Sequence, residues 1–202
     1  MSFSKQFYGV ALLLAGGSAL LSGCKQVCGD NLPQYSLSTA QRAWGNPYAL
    51  NTVWRFRNAA GYERSYHVSS FDTDLIGSGG SSKVSLCPTY YREYIFADLE
   101  RTDTVQTAAT REIYHLQLSA ALPDGSVNHF LQWNHRSFHL PIDEVDAGQL
   151  VLPSATFGGR TYANVLERTN TEYSPRILHL YLTKADGVVA FDDRYGTLWA
   201  RQ

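Results

Sequence analysis

Beyond residue 50 the chain alternates apolar and polar positions with a period of two, the pattern of strands buried on one face. Thr52 to Arg57 (TVWRFR) and Glu63 to Ser69 (ERSYHVS) flank Asn58-Ala59-Ala60-Gly61 and predict a hairpin. Tyr90 to Glu100 (YYREYIFADLE) predicts a further strand, and Thr102 to Thr110 a polar loop. Glu112 to Ala120 and Val127 to His135 flank Pro123-Asp124-Gly125, where proline presets φ and glycine accepts a positive one, so a second hairpin is expected. Leu150 to Leu152, Tyr162 to Arg168, Ile177 to Thr183, Val188 to Phe191 and Thr197 to Ala200 read as strands. Gly158-Gly159, Ala185-Asp186-Gly187 and Arg194-Tyr195-Gly196 supply turns between them. Only Leu37 to Trp44 (LSTAQRAW), behind Ser36 or Ser38 as a cap, reads as a short helix. Gly77 to Ser82 is glycine- and serine-rich and predicts a loop.

This pattern predicts an all-β antiparallel meander of roughly nine to eleven strands. A sheet that long must hide its edges, so a closed barrel, a strongly curved sheet or a sandwich is expected, with little helix. Thirteen tyrosines, nine phenylalanines and four tryptophans agree with sheet rather than helix. A net charge of −1 argues against a nucleic-acid partner, which would call for a basic face.

The first two dozen residues break the pattern. Lys5 precedes an apolar run from Val10 to Leu21. The run is too short to cross a bilayer, which takes about 20 residues. It ends in Leu21-Ser22-Gly23-Cys24, the form of a bacterial lipobox. Small Gly23 suits the signal peptidase, and the Cys24 thiol is the nucleophile that accepts a diacylglyceryl group. The expected organisation is a signal peptide over residues 1–23, a lipidated tether over 24–36 and one β domain over 37–202. A single acyl chain holds a protein to a bilayer only marginally, whereas the two or three chains of a mature lipoprotein hold it durably. The segment resembles Gram-negative lipoproteins in carrying Lys25 rather than aspartate after the lipidated cysteine, which implies the outer membrane. Removing Cys24 from three cysteines leaves Cys28 and Cys87, an expected disulfide in an oxidising compartment. Closing so long a loop contributes about 4 kcal/mol in the chain-entropy picture.

In the C-terminal third, Thr161-Tyr162-Ala163-Asn164-Val165, Leu180-Tyr181, Gly187-Val188-Val189-Ala190-Phe191 and Gly196-Thr197-Leu198-Trp199 form a recurrent ending. It resembles that of uncharacterised envelope lipoproteins of Bacteroidota. The resemblance covers roughly residues 160 to 200, the leader and the Trp54–Phe56 strand. It implies a β domain on the cell envelope and brings no site residues. Tyr162, Tyr181, Phe191 and Trp199 themselves read as rings filling a core, or else as the lining of a cavity for a ligand.

Reactive chemistry is sparse. His129, His135 and His139 lie close in sequence, but His129 and His135 on one strand stand about 20 Å apart, too far to share an ion. Asp72-Thr73-Asp74 lacks the oxygen spacing of a calcium loop. Asp143-Glu144, Asp146 and Asp192-Asp193 read as solvated turn acids, and no hydrolase, metalloprotease or phosphate-loop motif occurs. No cofactor or metal is therefore expected. The expected role is a lipid-anchored, non-catalytic interaction or scaffold module with an unidentified protein partner. The alternative is a carrier of an apolar ligand or lipid.

Overall fold

The computed structural model describes residues 31–78, 87–105, 112–134, 136–170 and 178–202. The chain enters through β1 (Gln34–Tyr35), which lies parallel to a later strand, and then a five-residue helix, α1 (Thr39–Ala43). Ser38 caps α1: its Oγ accepts from Gln41 N (3.1 Å) and Gln41 Oε1 accepts from Ser38 N (2.8 Å), which satisfies two otherwise orphaned donors. After a 3₁₀ turn at Asn46–Tyr48 come β2 (Val53–Asn58), β3 (Glu63–Ser78), β4 (Tyr90–Arg101), β5 (Tyr114–Ser119), β6 (Phe130–Trp133) and β7 (Arg136–His139). A second short helix, α2 (Ile142–Asp146), precedes a small hairpin of β8 (Ala155–Phe157) and β9 (Arg160–Tyr162). The chain closes with β10 (Leu166–Asn170), β11 (Leu178–Thr183), β12 (Gly187–Asp192) and β13 (Leu198–Arg201).

The main sheet is an antiparallel meander in the order β10-β11-β12-β13-β2-β3-β4-β5-β6-β7, with β1 added beside β4. Its two outer strands approach one another, and Asn170 Nδ2 on β10 donates to the Ser137 carbonyl on β7 (3.0 Å). The sheet is thus a nearly closed ten-stranded barrel, the all-β fold that the alternating pattern predicts. β2, the first strand of the meander in chain order, sits next to β13, the last, with Trp199 opposite Asn58 and Arg201 opposite Phe56.

The two helices close one end. Gln41 Nε2 donates to Asp143 Oδ1 (2.7 Å), and Asp146 Oδ1 accepts from Trp44 Nε1 (3.3 Å) and Lys184 Nζ (2.6 Å). At this end Gly187 opens β12 at φ +71°, and an added Cβ would lie 2.8 Å from the Trp54 ring and 3.1 Å from Pro47. Only glycine fits there. The other end, where β2, β4 and β12 finish and β3, β5 and β13 begin, carries no helix.

The interior is filled with rings. Tyr66 lies 4.8 Å from Tyr114 and 5.1 Å from Trp133, while Phe191 lies 5.1 Å from both Phe56 and Trp133. Most meet edge to face, an arrangement worth about 0.5–1.5 kcal/mol per pair beyond the area buried. A second, smaller cluster sits outside the barrel wall. The β8–β9 hairpin lays Phe157 and Tyr162 against Val189, Ala190 and Ala200. Covering β12 on both faces explains why its sequence, GVVAF, is continuously apolar instead of alternating.

Several details depart from the sequence reading. β3 continues to Ser78 rather than ending at Ser69, pairing with β4 from Tyr66 to Ser78. Asp72 and Asp74 therefore lie on a strand, opposite Phe96 and Tyr94, and not at the mouth of a loop. Leu150–Leu152 is not a strand, because the segment follows α2 as an irregular connection. The expected strand from Tyr162 to Arg168 is broken into β9 and β10, with Asn164 at φ +54° between them. β1 draws Gln34 and Tyr35 into the sheet, and the Pro33 carbonyl accepts from Tyr91 N (2.8 Å), so the segment read as tether is partly folded. The leader with its lipobox, Cys24, Cys28 and His135 lie outside the described residues.

Candidate functional site

At the helix-free end a cleft of about 410 Å³ opens into the barrel mouth. Its shape comes from a tight turn, Asp193-Arg194-Tyr195-Gly196. Gly196, at φ +78°, donates its N–H to the Asp193 carbonyl (2.8 Å), and Asp193 N donates to the Thr197 carbonyl (3.0 Å). The Asp193 carboxylate then gathers four donors. Oδ1 accepts from Tyr195 N (2.9 Å) and Thr197 N (3.0 Å), and Oδ2 from Trp199 Nε1 (3.1 Å) and Arg64 Nη2 (3.1 Å). Burial pushes this carboxyl upward, but these hydrogen bonds and the Arg64 charge outweigh it and hold the pKa below the usual range.

Arg64, on β3, is pinned in place. Its guanidinium carbon stands 3.9 Å above the Trp199 ring, and its side chain is only 15 % exposed. Arg64 Nε is buried and donates to no described group. Across the mouth Arg101, at the end of β4, is held by Asp103 through Nε (2.9 Å) and Nη2 (2.7 Å), and Asp103 Oδ1 also accepts from Ser65 N (3.1 Å). Glu112 lines the same wall. Its Oε2 lies 3.6 Å from Arg101 Nη1 and accepts a short hydrogen bond from the Tyr114 hydroxyl. Asn134, at φ +51° in the β6–β7 turn, and the Arg194–Tyr195 pair complete the rim.

Below the cleft lies the Tyr66 hydroxyl, fully buried and without a hydrogen bond of normal geometry, although the Tyr114 hydroxyl is its neighbour. Burial pushes the Tyr66 phenol up to about 12, with Tyr114, Arg64 and Arg101 pulling the other way. Tyr114 is pushed higher by burial, by Tyr66 and by Glu112. Both phenols stay protonated, and Asp193 and Asp103 stay ionised. The cleft thus presents guanidinium donors and carboxylate acceptors side by side.

At the opposite end, a shallow apolar groove of about 360 Å³ runs between Trp44, Val145, Leu150, Leu152 and Lys184. Val151 at its edge is 87 % exposed.

The four rings singled out in the sequence do not share one cavity. Phe191 belongs to the barrel interior and Trp199 stacks beside it at 6.5 Å, beneath Arg64. Tyr162 and Tyr181 pack outside the wall with Phe157. The turn acids are also not simply solvated. Asp143 and Asp146 tie α2 to α1, and Asp193 organises the mouth. Its role is foreshadowed by an aspartate opening a four-residue turn with glycine at the fourth position.

His129 is buried. Its Nδ1 accepts from Ser119 N (3.3 Å) and its Nε2 lies 3.4 Å from Asp143 Oδ2. This resembles a hydrolase triad in composition only, since Ser119 Oγ accepts from Asn128 N (2.8 Å) and is fully buried. Cys87 lies just ahead of β4, and Cys28, its expected disulfide partner, lies outside the described residues. Among the described residues no three His, Cys, Asp or Glu side chains are grouped to hold a metal ion, and no helix is long and apolar enough to cross a membrane.

No protein-family model, curated protein or solved structure matches the chain. What defines it is a ring-filled antiparallel barrel, capped by helices at one end and open to a polar cleft at the other.

Proposed function

We propose that the chain is a lipid-anchored protein of the bacterial cell envelope, held in the outer membrane through Cys24, whose barrel is a non-catalytic binding module. The observation that carries this reading is the filled interior. Phe56, Tyr66, Tyr114, Trp133 and Phe191 occupy the space in which a carrier would hold its cargo, and the clefts open at the ends instead. The barrel shape is compatible with carriage of an apolar ligand, but the packing favours recognition at the surface.

The geometry also suits an anchor. The described chain enters beside Tyr91, and Cys87 stands just ahead of β4. Both lie toward the helix-capped end, so a tether there would leave the polar mouth facing away from the bilayer. A Cys28–Cys87 disulfide would clamp the tether to that end.

Growth with an alkyne fatty acid tests the anchor. Full-length protein is expected to label and the Cys24→Ala variant to remain an unlabelled precursor; equal labelling of the two would refute it. Peptide mapping without reductant is expected to recover Cys28 linked to Cys87, and alkylation of Cys28 as a free thiol would remove the clamp.

A further inference from the structure

We infer that the barrel mouth is a saccharide-binding site, taking one sugar unit of a glycan between the Arg64–Asp193 wall and the Arg101–Glu112 wall, with Tyr195 at its rim. The inference deepens the reading of the barrel as a binding module and does not depend on the lipid anchor.

The cleft is concave and about 410 Å³, within the range of small-molecule sites. Its lining is almost wholly planar and polar: three guanidiniums, two carboxylates and an amide. A sugar hydroxyl both donates and accepts, so a ring of hydroxyls needs acceptors and donors side by side, which carboxylates and guanidiniums supply together. The charge balance selects this class over an anion. Arg64 and Arg101 each already carry a carboxylate, Asp193 and Asp103, and Glu112 adds a further negative charge inside the cleft. Inorganic phosphate or a carboxylate would meet little net positive field and one repelling group.

The mouth is also built in advance of any ligand. Asp193 and Asp103 fix the two inner guanidiniums, so little side-chain freedom is lost on binding. At the rim the Tyr195 ring is 64 % exposed, with the Arg194 guanidinium 4.8 Å from its centroid, a platform for the C–H face of a pyranose.

Saturation-transfer NMR on the full chain, kept in a detergent without sugar headgroups, tests this with methyl glycosides of glucose, galactose and N-acetylglucosamine. At least one glycoside is expected to receive transfer with millimolar affinity. Tyr195→Ala and Arg194→Ala, both exposed and away from the core, are each expected to weaken it about fivefold. Inorganic phosphate and citrate serve as competing anions. The inference is overturned by no transfer to any glycoside, by transfer unchanged in both variants, or by displacement at low millimolar phosphate or citrate in a salt-dependent manner. None of these outcomes bears on fatty-acid labelling at Cys24, so the two proposals fail separately.

Discussion

Arg64 lies over the indole of Trp199 at 3.9 Å while Asp193 hydrogen-bonds both residues, so one carboxylate fixes a cation and the ring beneath it. The three residues come from β3, the β12–β13 turn and β13, and the carboxylate thereby locks three parts of the barrel wall together at the mouth.

Replacing that carboxylate should be costly. Asp193→Ala leaves the Arg64 charge nearly buried and unpaired and removes acceptors from three N–H donors. A loss of about 3 kcal/mol is expected in urea unfolding. Asp193→Asn keeps acceptor and shape and should lose markedly less. Equal losses from the two would show that the charge, absent from both variants, carries the whole effect and that the acceptor and shape kept by asparagine contribute nothing.

Two glycines with positive φ should respond differently to alanine. At Gly187 a Cβ meets Trp54 and Pro47, whereas at Gly125, φ +77°, nothing lies within 4 Å. Gly187→Ala is expected to cost more than about 2 kcal/mol, combining backbone strain with overpacking, and Gly125→Ala about 1 kcal/mol. Thermal melts of the two variants side by side distinguish these cases; a smaller shift for Gly187→Ala would contradict the close contact with Trp54.

His129 gives the fold a dependence on pH. Burial holds its pKa below the ordinary 6.5, although the Asp143 carboxylate pulls upward. The unfolded chain therefore binds a proton that the folded chain resists. The histidine's contribution is intact above pH 6.5 and is lost as pH falls from there through the depressed folded value. Urea midpoints should drop between pH 7.5 and 5.5 for the native chain and flatten for His129→Gln. An identical slope in both would assign the effect to other groups.

The capping box gives a local test. Ser38→Ala removes the acceptor for Gln41 N and is expected to cost about 1 kcal/mol. Ser38→Asp, which keeps an acceptor, should restore most of it. If Ser38→Ala leaves stability unchanged, α1 is held by Gln41–Asp143 and Trp44–Asp146 alone.

Much of the barrel was legible in the sequence because its strands follow one another around the wall. Each hairpin is then a local event, written in alternation and in turns such as Asn58–Gly61 and Pro123–Gly125. The elements that escaped are those whose reasons lie far away in sequence. β7 and α2 are too short to carry a period, whereas β12, legible as a strand over Val188 to Phe191, does not reveal its inward face because the β8–β9 hairpin covers its outer one. The mouth was hidden for the same reason. Arg64, Arg101, Glu112 and Asp193 are spread over more than a hundred positions, and each alone looks like a solvated charge at a strand end. Ring chemistry misled in the opposite sense, since Tyr162 and Tyr181 carry the same local pattern as Phe191 and Trp199 but face the other side of the wall.

β13 is wedged between β12 and β2, joining the first long strand of the domain to one of the last. The wall therefore stays unsealed until synthesis has passed residue 201, however early the β2–β6 hairpins form. Nascent chains halted before β13 would expose two raw strand edges, inviting association with one another or with chaperones. Closure depends on a pairing of very long sequence separation, the kind of contact that carries the largest loop-closure cost in folding.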